Sequence, residues 1–488
     1  MLQVFINKEN YQYDVHSLVK AFYPEKDVKV VPENEEKIST TVFEQGIRIW
    51  FKEAEVKVSA CVEDKGFKQY TESLAEADFG TPALYKNRFK LLFYYMLSDY
   101  TGKKLPWGNL TGIRPTKLPM AMLEEGMDEE TIKENLQAEH ALSDEKALLS
   151  IDIARREKEL LSKIHYQNGY SLYIGIPFCP TTCLYCSFTS YPIAAWRKRI
   201  SDYLDALEKE IEFTADAYRD KVLDTVYIGG GTPTTLTAEE LDRLLTKVKA
   251  SFDWSEVKEF TVEAGRADSI TLDKLLVLKK HGVTRISVNP QTMNEETLRM
   301  IGRRATAAQT KEAFLMAREA GFDNINMDII LGLPGEDVES VRFTIDEILK
   351  LQPDSLTVHS LAIKRASKLN QWIQENGIST LHNTDETMDI AAAGARAMNM
   401  EPYYLYRQKN MSGNFENVGY AHEGKYGIYN ILIMEEVQTI VALGAGSITK
   451  RVFGDGRIER CDNVKDVALY IEKIDEMIER KRKLFSLE

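Results

Sequence analysis

The stretch IGIPFCPTTCLYCSF, residues 174–188, contains three of the five cysteines in the chain. It leads from an apolar, strand-forming run into a loop in which Cys179, Cys183 and Cys186 follow the pattern C-x-x-x-C-x-x-C. Thiolates are soft ligands, and so compact a run of them is typical of iron–sulfur clusters or zinc. A four-iron cluster on three thiolates leaves one iron open to a small molecule, whereas zinc would need a distant histidine as its fourth ligand. The stretch therefore predicts a metal cofactor directly after a core strand.

From about residue 170 onward, short apolar runs alternate with amphipathic segments. Thr237 and Thr306 each begin a capping box, in which a threonine and a Glu or Gln three residues later satisfy free amides at a helix start. Six strands joined by helices predict an α/β fold, a partial (β/α)6 TIM-like barrel with its site at the carboxyl ends of the strands. A doubly wound parallel sheet is the structural alternative. The apolar runs are LYIGIP (172–177), DTVYIGG (224–230), EFTVEA (259–264), RISVNPQ (285–291), INMDIILGLP (325–334) and SLTVHSL (355–361).

The regions on either side of this pattern differ from it. Residues 1–75 are predicted to form strands and turns, and residues 83–163 mainly helices. The end of the chain, DVALYIEKIDEMIERKRKLF (466–485), has the pattern of one amphipathic helix. We predict three domains: an N-terminal α+β domain of unassigned role (1–165), the barrel (166–375) and a C-terminal mixed α/β region on the substrate side (376–488).

Composition narrows the possible locations and partners. A net charge of −13 disfavours binding to nucleic acid or to anionic lipid. The sequence has no run of about 18 apolar residues and no basic leader followed by an apolar core, so we expect a cytoplasmic protein without membrane insertion. An odd number of cysteines argues against a secreted disulfide framework. Cys61 and Cys461 stand alone and are interpreted as ordinary small apolar residues.

Five motifs follow one another along the predicted barrel: YIGIPFC, YIGGGTPT, ISVNPQTMN, IGRRAT and NMDIILGLPGE. In this order and spacing they resemble the radical S-adenosylmethionine (SAM) superfamily and, within it, the oxygen-independent coproporphyrinogen III oxidase group. Four further motifs, LTGIRPTKL, YRQKN, YNILIMEE and ALGAGSITK, are most similar to the HemZ branch of that group. The resemblance implies a radical SAM barrel with a [4Fe-4S] cluster on Cys179, Cys183 and Cys186, whose open iron is chelated by SAM.

The resemblance also implies which side chains and turns contact one or two SAM molecules. These positions lie in the cluster loop, at strand ends, or in the turns that follow strands. Ordinary turn, strand-end or packing roles are the alternative for each of them. The implied contacts of the first SAM are Tyr173, Tyr185, Gly230, Gly231, Thr232 and Glu263. Those of a second SAM are Gln291, Arg303 and Asp328.

The implied activity is oxidative decarboxylation of two propionates of coproporphyrinogen III to vinyl groups, giving protoporphyrinogen IX without oxygen. It requires a reductant such as flavodoxin or ferredoxin, and an electron acceptor that the sequence does not identify. The tetrapyrrole substrate carries four carboxylates, which arginine matches with a bidentate fork, and the tyrosines between residues 403 and 429 suit a large planar ligand. The candidate arginines are Arg303, Arg304, Arg365 and Arg407.

Two positions depart from the oxidase pattern: Gly175 replaces a histidine of that group, and Ser187 replaces a fourth cysteine. The related haem-chaperone branch also lacks that cysteine. Two alternatives therefore stay open: a haem-binding, chaperone-like carrier, and a radical SAM enzyme that acts on another tetrapyrrole by methyl transfer or haem breakdown. The chaperone branch is marked by a histidine–asparagine pair followed by tyrosine–tryptophan, where this chain has YNILIM (429–434). That difference weakens the carrier alternative.

Overall fold

The computed structural model describes residues 1–33, 45–62, 65–363, 367–377, 381–408 and 415–487. Arg365, one of the candidate carboxylate-binding arginines, lies outside these residues. The chain forms two compact units, Met1–Arg155 and Arg156–Glu488, and each is described by itself. The division into three domains remains a prediction. Within the described ranges, no helix has the length and hydropathy needed to cross a membrane.

The N-terminal unit is built on a mixed five-stranded sheet. Its strands are β1 (Leu2–Ile6), β2 (Val28–Pro32), β3 (Gly46–Phe51), β4 (Glu55–Cys61) and β5 (Phe67–Ser73), in the order β2-β1-β3-β4-β5. Strand β1 pairs in parallel with β2 and β3, whereas β4 pairs antiparallel with β3 and β5. Helix α1 (Gln12–Phe22) lies between β1 and β2. The helices that follow the strands are α2 (Pro82–Thr101), α3 (Lys117–Glu124), α4 (Glu129–His140) and α5 (Asp144–Leu161), the last of which continues into the second unit.

One prediction for this unit is wrong, because residues 1–75 include helix α1 as well as strands and turns. Val15, Leu18, Val19 and Phe22 recur at helical spacing and are at most 1% exposed, so this segment buries a helical face rather than a strand face. The helical prediction that starts at residue 83 is confirmed by α2, which is followed by the cap residue Gly102 with a left-handed φ of 73°.

The second unit is organised by one eleven-stranded sheet, in the order β14-β15-β13-β12-β11-β10-β9-β6-β16-β17-β18. Its strands are β6 (Gly169–Ile176), β9 (Val222–Gly230), β10 (Glu259–Glu263), β11 (Arg285–Ser287), β12 (Ile325–Leu331), β13 (Ser355–Ser360), β14 (Glu401–Tyr406), β15 (Asn417–Ala421), β16 (Thr439–Leu443), β17 (Ile448–Val452) and β18 (Ile458–Asp462). A separate parallel pair is formed by β7 (Phe178–Cys179) and β8 (Tyr191–Pro192).

The six predicted strands, β6 and β9 to β13, are parallel neighbours in chain order. A doubly wound sheet would reverse its strand order at a switch point, and this run has no reversal. The predicted partial barrel is therefore confirmed. Its outer helices include α8 (Ala238–Ser251) and α11 (Ala307–Glu319), whose capping boxes at Thr237 and Thr306 are both formed. The other helices up to residue 397 are α6 (Ile193–Trp196), α7 (Ile200–Ala217), α9 (Leu272–Lys280), α10 (Glu295–Met300), α12 (Val338–Leu351), α13 (Lys368–Asn376) and α14 (Asp385–Ala397).

The C-terminal segment extends the same sheet at both of its edges. Strand β15 pairs antiparallel with β13, and β16 pairs in parallel with β6. Between them, helix α15 (Ile428–Glu435) places the Tyr429 ring against the rings of Tyr173 and Tyr227, at centroid distances of 6.2 and 4.4 Å. Because β6 and β9 carry these two tyrosines, α15 packs on the sheet face that they share.

The prediction of a single terminal helix is wrong, because the segment forms two helices, α16 (Val467–Glu472) and α17 (Ile474–Phe485). Lys473 separates them with φ −116° and ψ 27°, outside the helical range. The break lets both helices bury a side chain completely, Tyr470 and Met477. Local amphipathic spacing does not reveal this change of direction.

Candidate active site

The cluster loop, residues 177–190, follows β6 and contains the three clustered cysteines as free thiols. Cys179 and Cys183 are buried, and Cys186 is partly exposed. Burial above all, and then the nearby thiols of Cys186 and Cys183, raise the pKa of Cys179 to about 11. The three sulfurs thus lie close enough to influence one another. Thiols in such a place become ligands when a cation compensates their charge.

The cluster loop is fixed by backbone groups from two sides. The Leu184 N–H donates to Ile301 O at 2.9 Å, and the Thr181 hydroxyl donates to Gly302 O at 2.9 Å. In the described ranges no three His, Cys, Asp or Glu side chains are arranged around a single metal ion. A four-iron cluster needs no such convergence, because each thiolate binds a different iron. The residues present therefore fit a cluster of this kind.

The glycine turn after β9 packs directly on the cluster loop. Gly231 N–H donates to Ile176 O at 2.8 Å, and Thr232 N–H donates to Phe178 O at 2.7 Å. A Cβ atom at Gly231 would lie 2.6 Å from Phe178 O, so only glycine fits there. The Thr232 hydroxyl lies 3.5 Å from the Cys179 sulfur. The structure thus brings Gly231 and Thr232 to the first cluster cysteine.

A central cavity of about 170 Å³ opens at the barrel sheet. Strands β9 to β14 and helix α15 line it mainly with polar side chains. Two of the predicted SAM contacts, Glu263 and Asp328, are among them. The further lining residues that matter below are Tyr227, Ser287, His359, Tyr404 and Tyr406.

The pKa values of the two carboxyl groups of the cavity shift in opposite directions. Burial, reinforced by the charge of Asp328, raises the pKa of Glu263 to about 7, although the Tyr227 hydroxyl donates a hydrogen bond to it. Burial also acts to raise the pKa of Asp328, but interactions with His359 and the Asn326 amide outweigh it and hold that pKa below the usual value. Near neutral pH, Asp328 is ionised and Glu263 is about half ionised. Such a split equips neighbouring carboxyl groups for different tasks.

Three polar atoms near this site have no hydrogen-bond partner in the part of the chain that the structure describes: Ser287 Oγ, Asn289 Oδ1 and Arg303 Nε. Buried polar atoms in folded proteins almost always have a partner. Arg303 donates through its other nitrogens, to Asn289 O and, at 3.4 Å, to the Tyr185 hydroxyl. Tyr185 lies between two cluster cysteines in the chain, so Arg303 connects the cluster loop to these unsatisfied atoms. The arrangement fits a polar ligand.

The remaining predicted contacts are placed differently. Tyr173 is partly buried, and its ring stacks at 6.2 Å on Tyr227. Gln291 has a left-handed φ of 67°, a conformation that is costly for a residue other than glycine and is often found at functional sites. It does not line the central cavity but a smaller one, with Glu336 and Thr344 among its neighbours. Gly230, with φ 105°, ends β9 beside Tyr173.

The two departures from the oxidase pattern occupy distinct environments. Gly175 accepts a hydrogen bond of 2.6 Å from the Tyr203 hydroxyl through its carbonyl, and a Cβ atom there would lie 3.3 Å from Leu443 O. Strand β16 therefore crowds this position, which leaves little room for a larger side chain. Ser187 is exposed on the cluster loop.

Two residues of the site, Arg266 and His359, were not predicted from the sequence. Arg266 points one guanidinium nitrogen at the Cys183 sulfur, 3.6 Å away. His359 approaches Asp328 at 3.7 Å and the Tyr406 hydroxyl at 3.4 Å. Both had a signal, since each is a polar residue at or just beyond the end of an apolar run, EFTVEA and SLTVHSL. Of the candidate arginines, Arg407 is buried, which lowers its pKa to about 10, and Arg304 is exposed.

Residues 173–348 match the family model of the Radical SAM superfamily. The oxygen-independent coproporphyrinogen-III oxidase-like protein HemZ of Bacillus subtilis is 40% identical over 436 residues, which cover 88% of this chain and 87% of that protein. The heme chaperone HemW of the same organism is 37% identical over 40% of this chain and 51% of that protein. The structure of coproporphyrinogen III oxidase (HemN) from Escherichia coli is 24% identical, with a TM-score of 0.52, over 66% of this chain and 72% of that one. The last comparison shows a shared fold.

Proposed function

Because the chain belongs to the HemZ-like group of the radical SAM superfamily, whose members hold a [4Fe-4S] cluster and use SAM, we propose that it is an oxidoreductase of porphyrin and haem biosynthesis. Its proposed reaction is the oxygen-independent decarboxylation of coproporphyrinogen III propionates to vinyl groups, giving protoporphyrinogen IX. The observation that carries the proposal is a cluster loop with three thiols in the same unit as a polar cavity at the barrel sheet. When bound, the cluster and SAM supply the radical that removes a hydrogen atom from a propionate, after which carbon dioxide and one electron leave.

The protein's own residues would hold and orient these groups. Cys179, Cys183 and Cys186 would each bind one iron, and the turn at Thr232 would present backbone groups to SAM beside Cys179. The partly ionised Glu263 and the ionised Asp328 would accept hydrogen bonds from SAM donors. Tyr404 and Tyr406, which stack at 6.2 Å on the cavity wall, offer aromatic area to a tetrapyrrole. A reductant such as flavodoxin or ferredoxin, an electron acceptor and a cytoplasmic location are part of the proposal.

A direct test is anaerobic incubation of the cluster-reconstituted protein with SAM, dithionite and coproporphyrinogen III. We expect 5′-deoxyadenosine and a divinyl product, both dependent on SAM and on reductant. Haem binding without such a product would favour a chaperone-like carrier. Formation of 5′-deoxyadenosine without decarboxylation would favour another tetrapyrrole reaction, such as methyl transfer or haem breakdown.

The carrier is the second candidate, because a HemW protein matches 40% of the chain at 37% identity. The structure gives it less support. The YNILIM segment forms most of α15, where Tyr429 packs against other tyrosines and Asn430, Ile433 and Met434 line the central cavity. The segment contributes no histidine to the cavity lining, so its difference in sequence from the chaperone branch affects residues that face the cavity.

The pH dependence of SAM binding tests the role of Glu263. With a pKa of about 7, this carboxyl is mostly protonated at pH 6 and mostly ionised at pH 8. Only the ionised form can accept hydrogen bonds at both oxygens, so SAM affinity is expected to rise roughly tenfold between these pH values. In Glu263→Gln this gain should be lost. Equilibrium binding of SAM at several pH values measures this gain. The SAM amino group titrates in both proteins, so the ratio of the dissociation constant of Glu263→Gln to that of the unaltered protein, taken at each pH, reports Glu263 alone.

A matched control for this test is Glu336→Gln. Burial also raises the pKa of Glu336, to about 6, but this residue lines the smaller cavity and is not among the residues that line the central cavity. Its variant should keep the pH dependence of the unaltered protein. Parallel pH profiles for Glu263→Gln and the unaltered protein would contradict a role for Glu263 in binding SAM.

A further inference from the structure

Arg266 is a buried arginine beside the cluster loop, only 4% exposed, with a role that neither the motifs nor the family comparison supplies. Two of its nitrogens, Nε and Nη2, form a fork on the Asp268 carboxylate at 3.0 and 2.8 Å. The third, Nη1, is left for the cluster loop. It donates to Thr181 O at 3.0 Å and to the Thr181 hydroxyl at 2.9 Å, and it lies 3.6 Å from the Cys183 sulfur.

The Asp268 fork determines what Arg266 can do. Bidentate Arg–carboxylate pairs have fixed geometry, so the guanidinium cannot rotate away from the loop. The ion pair has its positive end at the Cys183 sulfur and its negative end on the far side. A partly buried pair of this kind acts on its neighbour mainly as an oriented dipole.

The three cluster thiols therefore have unequal surroundings. The Thr232 hydroxyl lies 3.5 Å from the Cys179 sulfur, and the Ser190 hydroxyl lies 4.0 Å from that of Cys186. Both of these groups are neutral, whereas Cys183 interacts with two cations, Arg266 at 3.6 Å and Arg303. Hydrogen bonds and positive charge at cluster sulfurs favour the reduced cluster, which carries one more negative charge.

We propose that Arg266 is a positioning residue that raises the reduction potential of the cluster through its contact with the Cys183 sulfur. A higher potential makes it easier for the cluster to accept the electron that starts the reaction. It also fixes the loop between two cluster cysteines through Thr181, whose hydroxyl in turn donates to Gly302 O. The inference rests on the cluster in the proposed function and not on the identity of the substrate.

The test is an anaerobic redox titration of the reconstituted protein, without substrate, in which the reduced cluster is followed by electron paramagnetic resonance. In Arg266→Gln the equilibrium constant for reduction is expected to fall about tenfold, which for one electron is a shift of 59 mV to lower potential. Arg266→Lys, which keeps the charge but not the fork, should fall between. Asp268→Asn should shift the potential in the opposite direction, because it leaves the cation of Arg266 uncompensated.

Arg243→Gln is the matched control, because Arg243 pairs with Asp205 and Glu208 outside the cluster loop and should leave the potential unchanged. If both Arg266 variants hold less cluster but keep an unchanged reduction potential, Arg266 has only a structural role and the proposal is overturned. If Arg266→Gln does not fold, Asp268→Asn decides alone, and an unchanged or lower potential overturns the proposal. Absence of any cluster in the unaltered protein would overturn the proposed function as well.

Discussion

Replacement of Cys183 by serine is expected to abolish the cluster and, with it, all reductive cleavage of SAM. A serine hydroxyl is a hard ligand that stays protonated near neutral pH, so it cannot replace a soft thiolate on iron. The loss should exceed the 10–100-fold effects typical of residues that only support metal ligands. Visible absorbance, iron content and 5′-deoxyadenosine formation measure it. Serine is nearly isosteric with cysteine, so the fold should persist.

The two cysteines outside the loop provide the control for Cys183→Ser. Cys461 is buried in β18 and Cys61 is partly exposed in β4, and both are free thiols. Serine at either position should leave the cluster absorbance intact. A Cys183→Ser protein with an unaltered spectrum would contradict the assignment of this residue as a ligand. Loss of the cluster absorbance in Cys461→Ser would show that replacing a cysteine outside the cluster loop also removes the cluster, so that the loss in Cys183→Ser is not specific to a ligand.

The barrel could be predicted because its information is local. Strand β6 and each of the strands β9 to β13 is a short apolar run, and a run of parallel βα units leaves few ways to order its strands. The cluster cysteines were predictable for the same reason, since their spacing within one loop is itself the signal. Capping boxes at Thr237 and Thr306 are likewise complete within four residues.

Features that depend on pairing between distant segments could not be read in this way. Strand β16 pairs with β6 although more than 260 residues separate Leu172 from its partner Val441, and no local pattern announces that pairing. The contacts of Arg266 with Cys183 and of His359 with Asp328 arise from the ends of different strands meeting in space. Gln291 shows the limit of motif transfer, because its position in the motif does not reveal which cavity it lines.

A buried ionic network joins this distant C-terminal segment to the barrel. Glu210 of α7 and Lys481 of α17 are both 0% exposed and form an ion pair of 2.7 Å. The carboxylate also accepts from Asn463 Nδ2 at 2.8 Å, the Tyr470 hydroxyl at 2.6 Å and Gly444 N–H at 2.8 Å. Every oxygen of the carboxylate thus has donors, which is the condition under which a buried charge is tolerated.

Lys481→Met is expected to destabilise the protein by about 3–5 kcal/mol, because it leaves the Glu210 carboxylate buried without a cation. Denaturant unfolding of the unaltered protein and the variant measures this loss. The double variant with Glu210→Gln should recover much of the stability, since the uncompensated charge is then gone. Lys247→Met is the matched control, because the partner of Lys247, Glu212, is 63% exposed and such pairs contribute less than about 1 kcal/mol.

The same variant should also weaken cluster retention. Gly444 N–H bonds to Glu210, the adjacent Ala445 N–H donates to the Tyr203 hydroxyl at 3.2 Å, and that hydroxyl donates to Gly175 O at 2.6 Å. Gly175 lies in β6, four residues before Cys179, so a loosened turn at Gly444 removes support from the strand that begins the cluster loop. Faster loss of visible absorbance on exposure to an iron chelator is the expected result for Lys481→Met. Equal rates of loss in Lys481→Met and Lys247→Met would show that the network stabilises the fold without reaching the site.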